Sequence, residues 1–247
     1  MKSFSKLLWV ELKLYFREPV AAFFTLLFPL MFLLIFGSIY GNQPVDLFGG
    51  HGTIDLSVPS YTGMIASATG IISLSVGFAS YRERGLLRRL KTTPVNPLAV
   101  LAAQGLVLVL MTILGMGLLV LTGKLIYDLR FHGSFLAMAG ALLVSCLSLF
   151  SLGFVVASLS STARTAQTVS MVLFYPMMII SGSSVPRELF PENLQRASKL
   201  FPLTHAVTVL RGAWFGLPFC EYLTEVWILF AFSAAALAVS VRFFRLD

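Results

Sequence analysis

The chain has 247 residues, 57% of them hydrophobic and 12% charged, with a formal net charge of +7. Soluble domains carry roughly 25% charged residues, so a soluble globule of this composition would turn much apolar surface to water, and lipid is the better solvent. The basic excess does not mark a nucleic-acid binder, because it is sorted along the chain. With six spans assigned from hydropathy, twelve of the eighteen Lys and Arg fall on one side of the membrane and six on the other, against four and seven acids, leaving +8 and −1. That is positive-inside asymmetry.

Met1 to Glu18 is charged yet periodic. At about 100° per residue, Lys2, Lys6, Lys13 and Arg17 share a narrow sector and Phe4, Leu8, Leu12 and Tyr15 lie opposite. The pattern predicts an amphipathic helix over 1–18 lying in the interface, its basic face toward lipid phosphates. Glu11 intrudes on the apolar side and points to a protein partner there. A cleaved signal peptide is the competing reading; the long polar region and the lack of a small-residue cleavage pattern disfavour it.

Pro19 ends that helix, and Ala21 to Tyr40 makes the first span: twenty residues at about 1.5 Å each cover a hydrocarbon core of roughly 30 Å. Pro29 predicts a kink, and Phe24, Phe28 and Phe32 form one aromatic stripe, suited to packing or to a substrate wall. Gly41 to Val58 lacks Lys and Arg and reads as an outside loop. The second span, Tyr61 to Ser80, is rich in Gly, Ala, Ser and Thr, which let helices approach closely in lipid. A basic stretch, Tyr81 to Gln104, follows. Within it Asn96 is placed as a cap and Pro97 starts the third span, to about Gly123. The fourth span is Phe135 to Leu159, the fifth Thr165 to Ser184 and the sixth Leu223 to Val241, with both chain ends on the basic side. Ser184 to Tyr222, with four prolines and two short helix-capable pieces, is too broken to span. Its apolar piece, Thr204 to Phe215, predicts a re-entrant helix at the outer surface.

Absences narrow the chemistry. No span interior holds the buried charge on which ion-coupled transporters and pumps rely, nor a nucleophile–base pair or paired carboxylates for hydrolysis. His51, His132 and His205 are scattered, without metal-ligand spacing. Gly117 to Lys124 only imitates a phosphate loop: it has one residue too many between its glycines, and Leu125 stands where Ser or Thr is required. Cys146 and Cys220 lie at different depths, so no disulfide is expected. Work done by such a chain must be supplied by another protein.

The stretch Tyr81-Arg-Glu-Arg-Gly-Leu-Leu-Arg-Arg-Leu-Lys-Thr-Thr-Pro94 resembles the E-R-E-x-G-T-L-E-x-L-x-x-S/T-P signature of ABC-2 type permeases, the membrane subunits of exporters similar to daunorubicin-resistance transporters. Glu83, Gly85, Leu87, Leu90, Thr93 and Pro94 match; Tyr81 and Arg88 replace two of its acids. Glu11 to Pro19 with Phe28-Pro29, and Pro202 to Ala206 with Arg211 and Gly216, also resemble the family, so the likeness covers nearly the whole chain in order.

The resemblance implies an all-α integral membrane protein, a single domain over 1–247. It would have six transmembrane helices, an N-terminal elbow helix, a cytoplasmic coupling helix over 82–91 and re-entrant helices over 186–222. It further implies a multi-pass subunit of a bacterial-type cytoplasmic membrane, both termini cytoplasmic. A second permease copy would pair with it, and a separate ATP-binding cassette subunit would hold the ATP and magnesium, leaving this chain without a cofactor. Glu83, Arg84, Gly85, Leu86, Leu87, Arg88 and Leu90 would dock that ATPase; on a short helix Leu86, Leu87 and Leu90 cluster, and Arg84, Arg88 and Lys91 form a second stripe. Phe24, Phe28, Tyr61, Met64, Phe174 and Met178 are candidates to line the path of an amphiphilic, drug-like or lipid-like substrate, and would serve equally as packing. A permease for a lipid-linked glycan and a non-transporting membrane module of a sensing complex are the alternatives.

Overall fold

A computed structural model describes residues 2–46, 49–86 and 97–243. Nine helices carry this part of the chain: α1 (Lys2–Phe16), α2 (Pro19–Tyr40), α3 (Thr53–Glu83), α4 (Pro97–Tyr127), α5 (Phe135–Leu159), α6 (Ala163–Ile180), α7 (Glu192–Ser198), α8 (Pro202–Phe215) and α9 (Phe219–Phe243). A two-stranded antiparallel hairpin, β1 (Pro44–Val45) with β2 (His51–Gly52), lies between α2 and α3. Among the described residues five helices are long and apolar enough to cross a membrane: α2, α3, α5, the Ala99–Tyr127 part of α4 and the Phe219–Arg242 part of α9. The fifth expected span, α6, is 18 residues long, carries Arg164 and Gln167 in its first turns, and falls outside that set.

Helix α3 is the axis. In its most apolar stretch 89% of the residues are buried, against 28% for α2 and for α9. It packs on α2, α4, α5, α6 and α8. Its hydroxyls fold back onto its own carbonyls, as Ser60 to Leu56 O (2.6 Å) and Thr62 to Val58 O (2.8 Å), so a polar helix can be buried with its donors satisfied. The surrounding helices turn Met31, Ile35, Leu114, Leu121, Trp227 and Val241 outward. An apolar perimeter around a polar axis is stable in lipid and not in water.

Two π-helical segments interrupt the long helices. Residues Phe23–Leu27 in α2 precede Pro29, whose ring removes an N–H from the helical ladder; the helix widens there, with Phe28 N–H bonding Phe23 O. Widening of the ladder thus accompanies the expected proline effect. In α3, Ala68–Ser73 is π-helical where α5 crosses it. A Cβ on Gly153 would stand 1.9 Å from Gly70 O, and one on Gly70 would stand 2.5 Å from the Phe150 ring. Only glycine at both positions allows the two backbones to touch. Ser170 of α6 donates to Ile71 O (2.7 Å) in the same segment, so three helices meet there.

The broken segment before the last span folds inward. Pro202 opens α8, Thr204 Oγ1 donates to Ser198 O (2.6 Å), His205 Nε2 bonds Lys199 O (2.8 Å), and Gly216 at φ +70° closes the helix. Leu203, Ala206, Leu210 and Trp214 are almost fully buried, and α8 is wedged among α3, α5 and α9. The short helix is thus packed between other helices of the chain, with Thr204, His205 and Arg211 held by hydrogen bonds. The outside loop ends sooner than expected. Helix α3 begins at Thr53, and Asp55 is buried in its first turn, accepting from Asn42 Nδ2 (3.0 Å) and Arg130 N–H (2.9 Å).

Candidate functional site

The end of α3 that leads into the basic stretch is tied to three other elements by three consecutive residues. The Tyr81 hydroxyl donates to Glu11 Oε1 of α1 at 2.5 Å. Arg82 Nη1 donates to Ser160 O at 3.0 Å and Ser158 O at 3.4 Å, at the end of α5. Glu83 Oε2 accepts the Ala163 N–H at 2.9 Å, at the start of α6. The last two contacts complement helix ends: a guanidinium meets carbonyls left without partners where α5 stops, and a carboxylate meets an N–H left free where α6 begins. Thr162 Oγ1 adds a cap by accepting from Thr165 N–H (3.2 Å).

Gly85, at φ +66°, stops α3, with its N–H on Arg82 O (2.9 Å). The helix expected over 82–91 therefore does not start at Arg82, since Arg82 and Glu83 complete α3. Arg84 and Leu86 are exposed beyond it. Leu87, Arg88 and Leu90, with Asn96, lie outside the described residues. Among the described residues of the expected docking set, Glu83 makes a side-chain bond to another helix, and its capping of α6 was not foreseen.

Helix α1 supplies the other wall. Its basic residues Lys6, Lys13 and Arg17 are exposed, Leu8 and Leu12 are half-buried, and Glu11 and Tyr15 are buried. The partner anticipated for Glu11 is therefore in the same chain, 70 residues on. Burial pushes the Glu11 carboxyl above its ordinary pKa, with the Tyr81 hydrogen bond acting in the opposite direction. Tyr15 reaches into α2, its hydroxyl 2.5 Å from Thr25 Oγ1 in the π segment.

The candidate path residues divide. Tyr61, Met64, Phe174 and Met178 are packed into the core and present no open wall. Phe24 and Phe28 are half-buried in an aromatic ladder: ring centroids are 5.2 Å apart for Phe24–Phe28, 4.8 Å for Phe28–Phe32, and 6.3 Å from Phe24 to Tyr175 of α6. That ladder meets α6 at the Phe24–Tyr175 contact and α3 where Phe32 faces Tyr61.

At the opposite end a cavity of ≈ 310 Å³ surrounds Arg211 of α8. Arg211 donates through Nε to Ser60 Oγ (2.8 Å) and through Nη1 to Glu188 Oε1 (3.0 Å). His205 Nδ1 stands 3.6 Å from Glu225 Oε2 of α9. Glu225 escaped notice in the sequence because it sits at the edge of an apolar run.

A family model described as ABC-2 type transporter matches residues 2–215. Among similar proteins is a daunorubicin resistance ABC transporter permease protein of Streptomyces coeruleorubidus, 28% identical over 83% of this chain and 72% of its own length. An inner membrane transport permease of Escherichia coli K12 is 26% identical over 72% of this chain. A probable multidrug ABC transporter permease of the same strain is 25% identical over 62%. The aligned part spans only 50% and 42%, respectively, of the lengths of those two E. coli relatives.

Proposed function

The chain belongs to the ABC-2 type transporter family, and from that premise we propose that it is the membrane-spanning permease of an ATP-driven exporter. Its energy comes from a separate ATP-binding subunit docked on the stretch between α3 and α4. The observation that carries this reading is the triple attachment of Tyr81, Arg82 and Glu83 to α1, α5 and α6. A push on the docking stretch from Glu83 to Leu90 is passed at once to helix ends on three sides, as a coupling element requires. The permease itself then performs no covalent step and needs no nucleotide site.

In this arrangement α6 is the fifth of six spans, both termini are cytoplasmic and α1 lies in the interface. A second copy packs against α2 and α6: the outward face of α6 combines apolar Val172 and Ile179 with Thr165 and Thr168, all exposed in the single chain. The path runs along that joint, with Phe24, Phe28 and Tyr175 as its wall and Tyr61, Met64, Phe174 and Met178 as backing. Aromatic rings without a nearby charge favour an amphiphilic drug-like or lipid-like substrate, in line with the names of the daunorubicin resistance and multidrug relatives.

Affinity purification in mild detergent with the ATP-binding subunit co-expressed tests the reading. A stable complex whose ATPase activity rises with substrate is expected. Failure of the two subunits to associate would sink the exporter assignment and leave a non-transporting membrane module.

A further inference from the structure

Where α1 meets α3 and α4, a polar cavity and an apolar groove adjoin, and Val107 lines both. The cavity measures ≈ 280 Å³, just under the roughly 300–1,000 Å³ of sites for drug-sized ligands, so it suits a headgroup rather than a whole drug. Two of its walls are acceptors. Glu11 is 7% exposed and uses Oε1 for Tyr81. Gln104 is also 7% exposed, and among the described residues its Oε1 has no hydrogen-bond partner. Its amide is seated where a Cβ on Gly77 would stand, 2.0 Å from Nε2, so the glycine makes room for it. A buried carbonyl oxygen without a donor is destabilising, and a ligand N–H removes that cost.

Other charges facing the cavity complete a pattern. Glu18 lies beside Glu11, while Arg17 and Arg84 stand exposed and, among the described residues, make no ion pair. Acceptors inside and guanidiniums outside match a zwitterion with its ammonium inward and its phosphate outward. The adjoining groove, ≈ 660 Å³, is lined by Leu8, Trp9, Leu12 and Leu110 among others, and its surfaces fit an acyl chain.

We infer that this junction is a binding site for a membrane phospholipid with a primary-amine headgroup, of the phosphatidylethanolamine type. The ammonium donates to Glu11 and Gln104 Oε1, Arg17 and Arg84 hold the phosphate, and a chain lies between α1 and α4. A choline headgroup has no N–H to donate and leaves Gln104 unsatisfied. The site rests on the placement of α1 in the interface and is separate from the aromatic joint of α2 and α6. A lipid bridging α1 to Tyr81 would make docking of that helix depend on headgroup composition.

The test is native mass spectrometry of the delipidated full-length protein in detergent, titrated with dioleoyl phosphatidylethanolamine, phosphatidylcholine, phosphatidylglycerol and soluble phosphoethanolamine. At least fivefold preference for the ethanolamine lipid over the choline lipid is expected, with soluble phosphoethanolamine binding at least tenfold more weakly. Gln104→Leu deletes an oxygen that has no partner among the described residues, so the protein still folds; it should bring the ethanolamine and choline lipids to equal affinity. Trp9→Ala should weaken both lipids alike. Equal affinity in the wild type, preference surviving Gln104→Leu, a phosphatidylglycerol preference, or headgroup-only binding as tight as the lipid each overturns the site. Retention of no lipid at all overturns the interfacial placement of α1 as well.

Discussion

The two ends of α3 are held by different means. At the hairpin end the chain is locked by short-range fits: Asn42 bonds the Asp55 carboxylate and, through Oδ1, the N–H groups of Ile54 and Asp55. A Cβ on Gly133 would stand 1.9 Å from Ala213 O, and α8 is wedged into the core. At the basic end the contacts described are hydrogen bonds of the Tyr81, Arg82 and Glu83 side chains, beside a cavity lined by the Gln104 amide oxygen. Backbone fits resist displacement, whereas side-chain bonds can lengthen, rotate and re-form. The difference separates a tightly fitted end from one held by bonds that can rearrange.

The largest effect should come from the crossing between the two ends. Gly153→Leu puts a branched side chain where even a Cβ meets Gly70 O at 1.9 Å; overpacking costs typically about 1–3 kcal/mol, and contact with backbone puts this change at or above the top of that range. Loss of the monodisperse peak after gentle heating would register it. An unchanged profile would mean that α3 and α5 can separate freely.

Next is Arg211→Ala at the locked end. It removes donors to Ser60 and Glu188, charge-assisted bonds worth about 1.5–3 kcal/mol each when buried, less here because Glu188 is partly exposed. A clear fall in thermal midpoint with coupling per folded molecule unchanged is expected. Coupling loss in the folded fraction would place this end in the moving part.

Glu83→Ala at the movable end should reverse that profile. A lost helix cap costs about 1 kcal/mol, yet substrate-stimulated ATP hydrolysis in the complex should fall at least tenfold. Glu83→Gln keeps an acceptor for the Ala163 N–H and should restore most of it. If glutamine is as damaging as alanine, the carboxylate acts on the partner by its charge and not through α6.

The smallest effect concerns pH. Burial raises the folded-state pKa of Glu11, and partial desolvation that of the more exposed Glu18, above the ordinary carboxylate value of 4.5. The folded state then binds more protons than the unfolded one above pH ~4.5, so stability falls as pH rises through that window and is greatest below it. A modest drop in thermal midpoint between pH 5 and pH 7 is expected, reduced in Glu11→Gln. A rise over that interval would contradict burial of the Glu11 carboxyl.

Much of the fold was legible because it is written at short range. The amphipathy of 1–18, the apolar runs, the prolines opening α2 and α8 and Gly216 closing α8 are local signals, and the helices stand close to where those signals put them. Misplaced features depend on distant residues. Glu11 was recognisable as an intruder on an apolar face, but its partner Tyr81 is 70 positions away. Glu83 was picked out by motif, yet its bond to Ala163 spans 80 positions. The burial of α8 was hidden because an apolar piece too short to span reads the same at a surface or in a core. Tyr61, Met64, Phe174 and Met178 suffered the same ambiguity, since large apolar side chains suit a wall and a core equally.

The Gly70–Gly153 crossing gives α3 a fulcrum. From it to Glu83 the helix runs about 20 Å, and in the other direction to Thr53 about 26 Å, at roughly 1.5 Å per residue. If α3 tilts as one rod about that point, a displacement applied at Glu83 appears at the far end reversed in direction and slightly enlarged. Ser60, whose hydroxyl holds Arg211, rides on the longer arm.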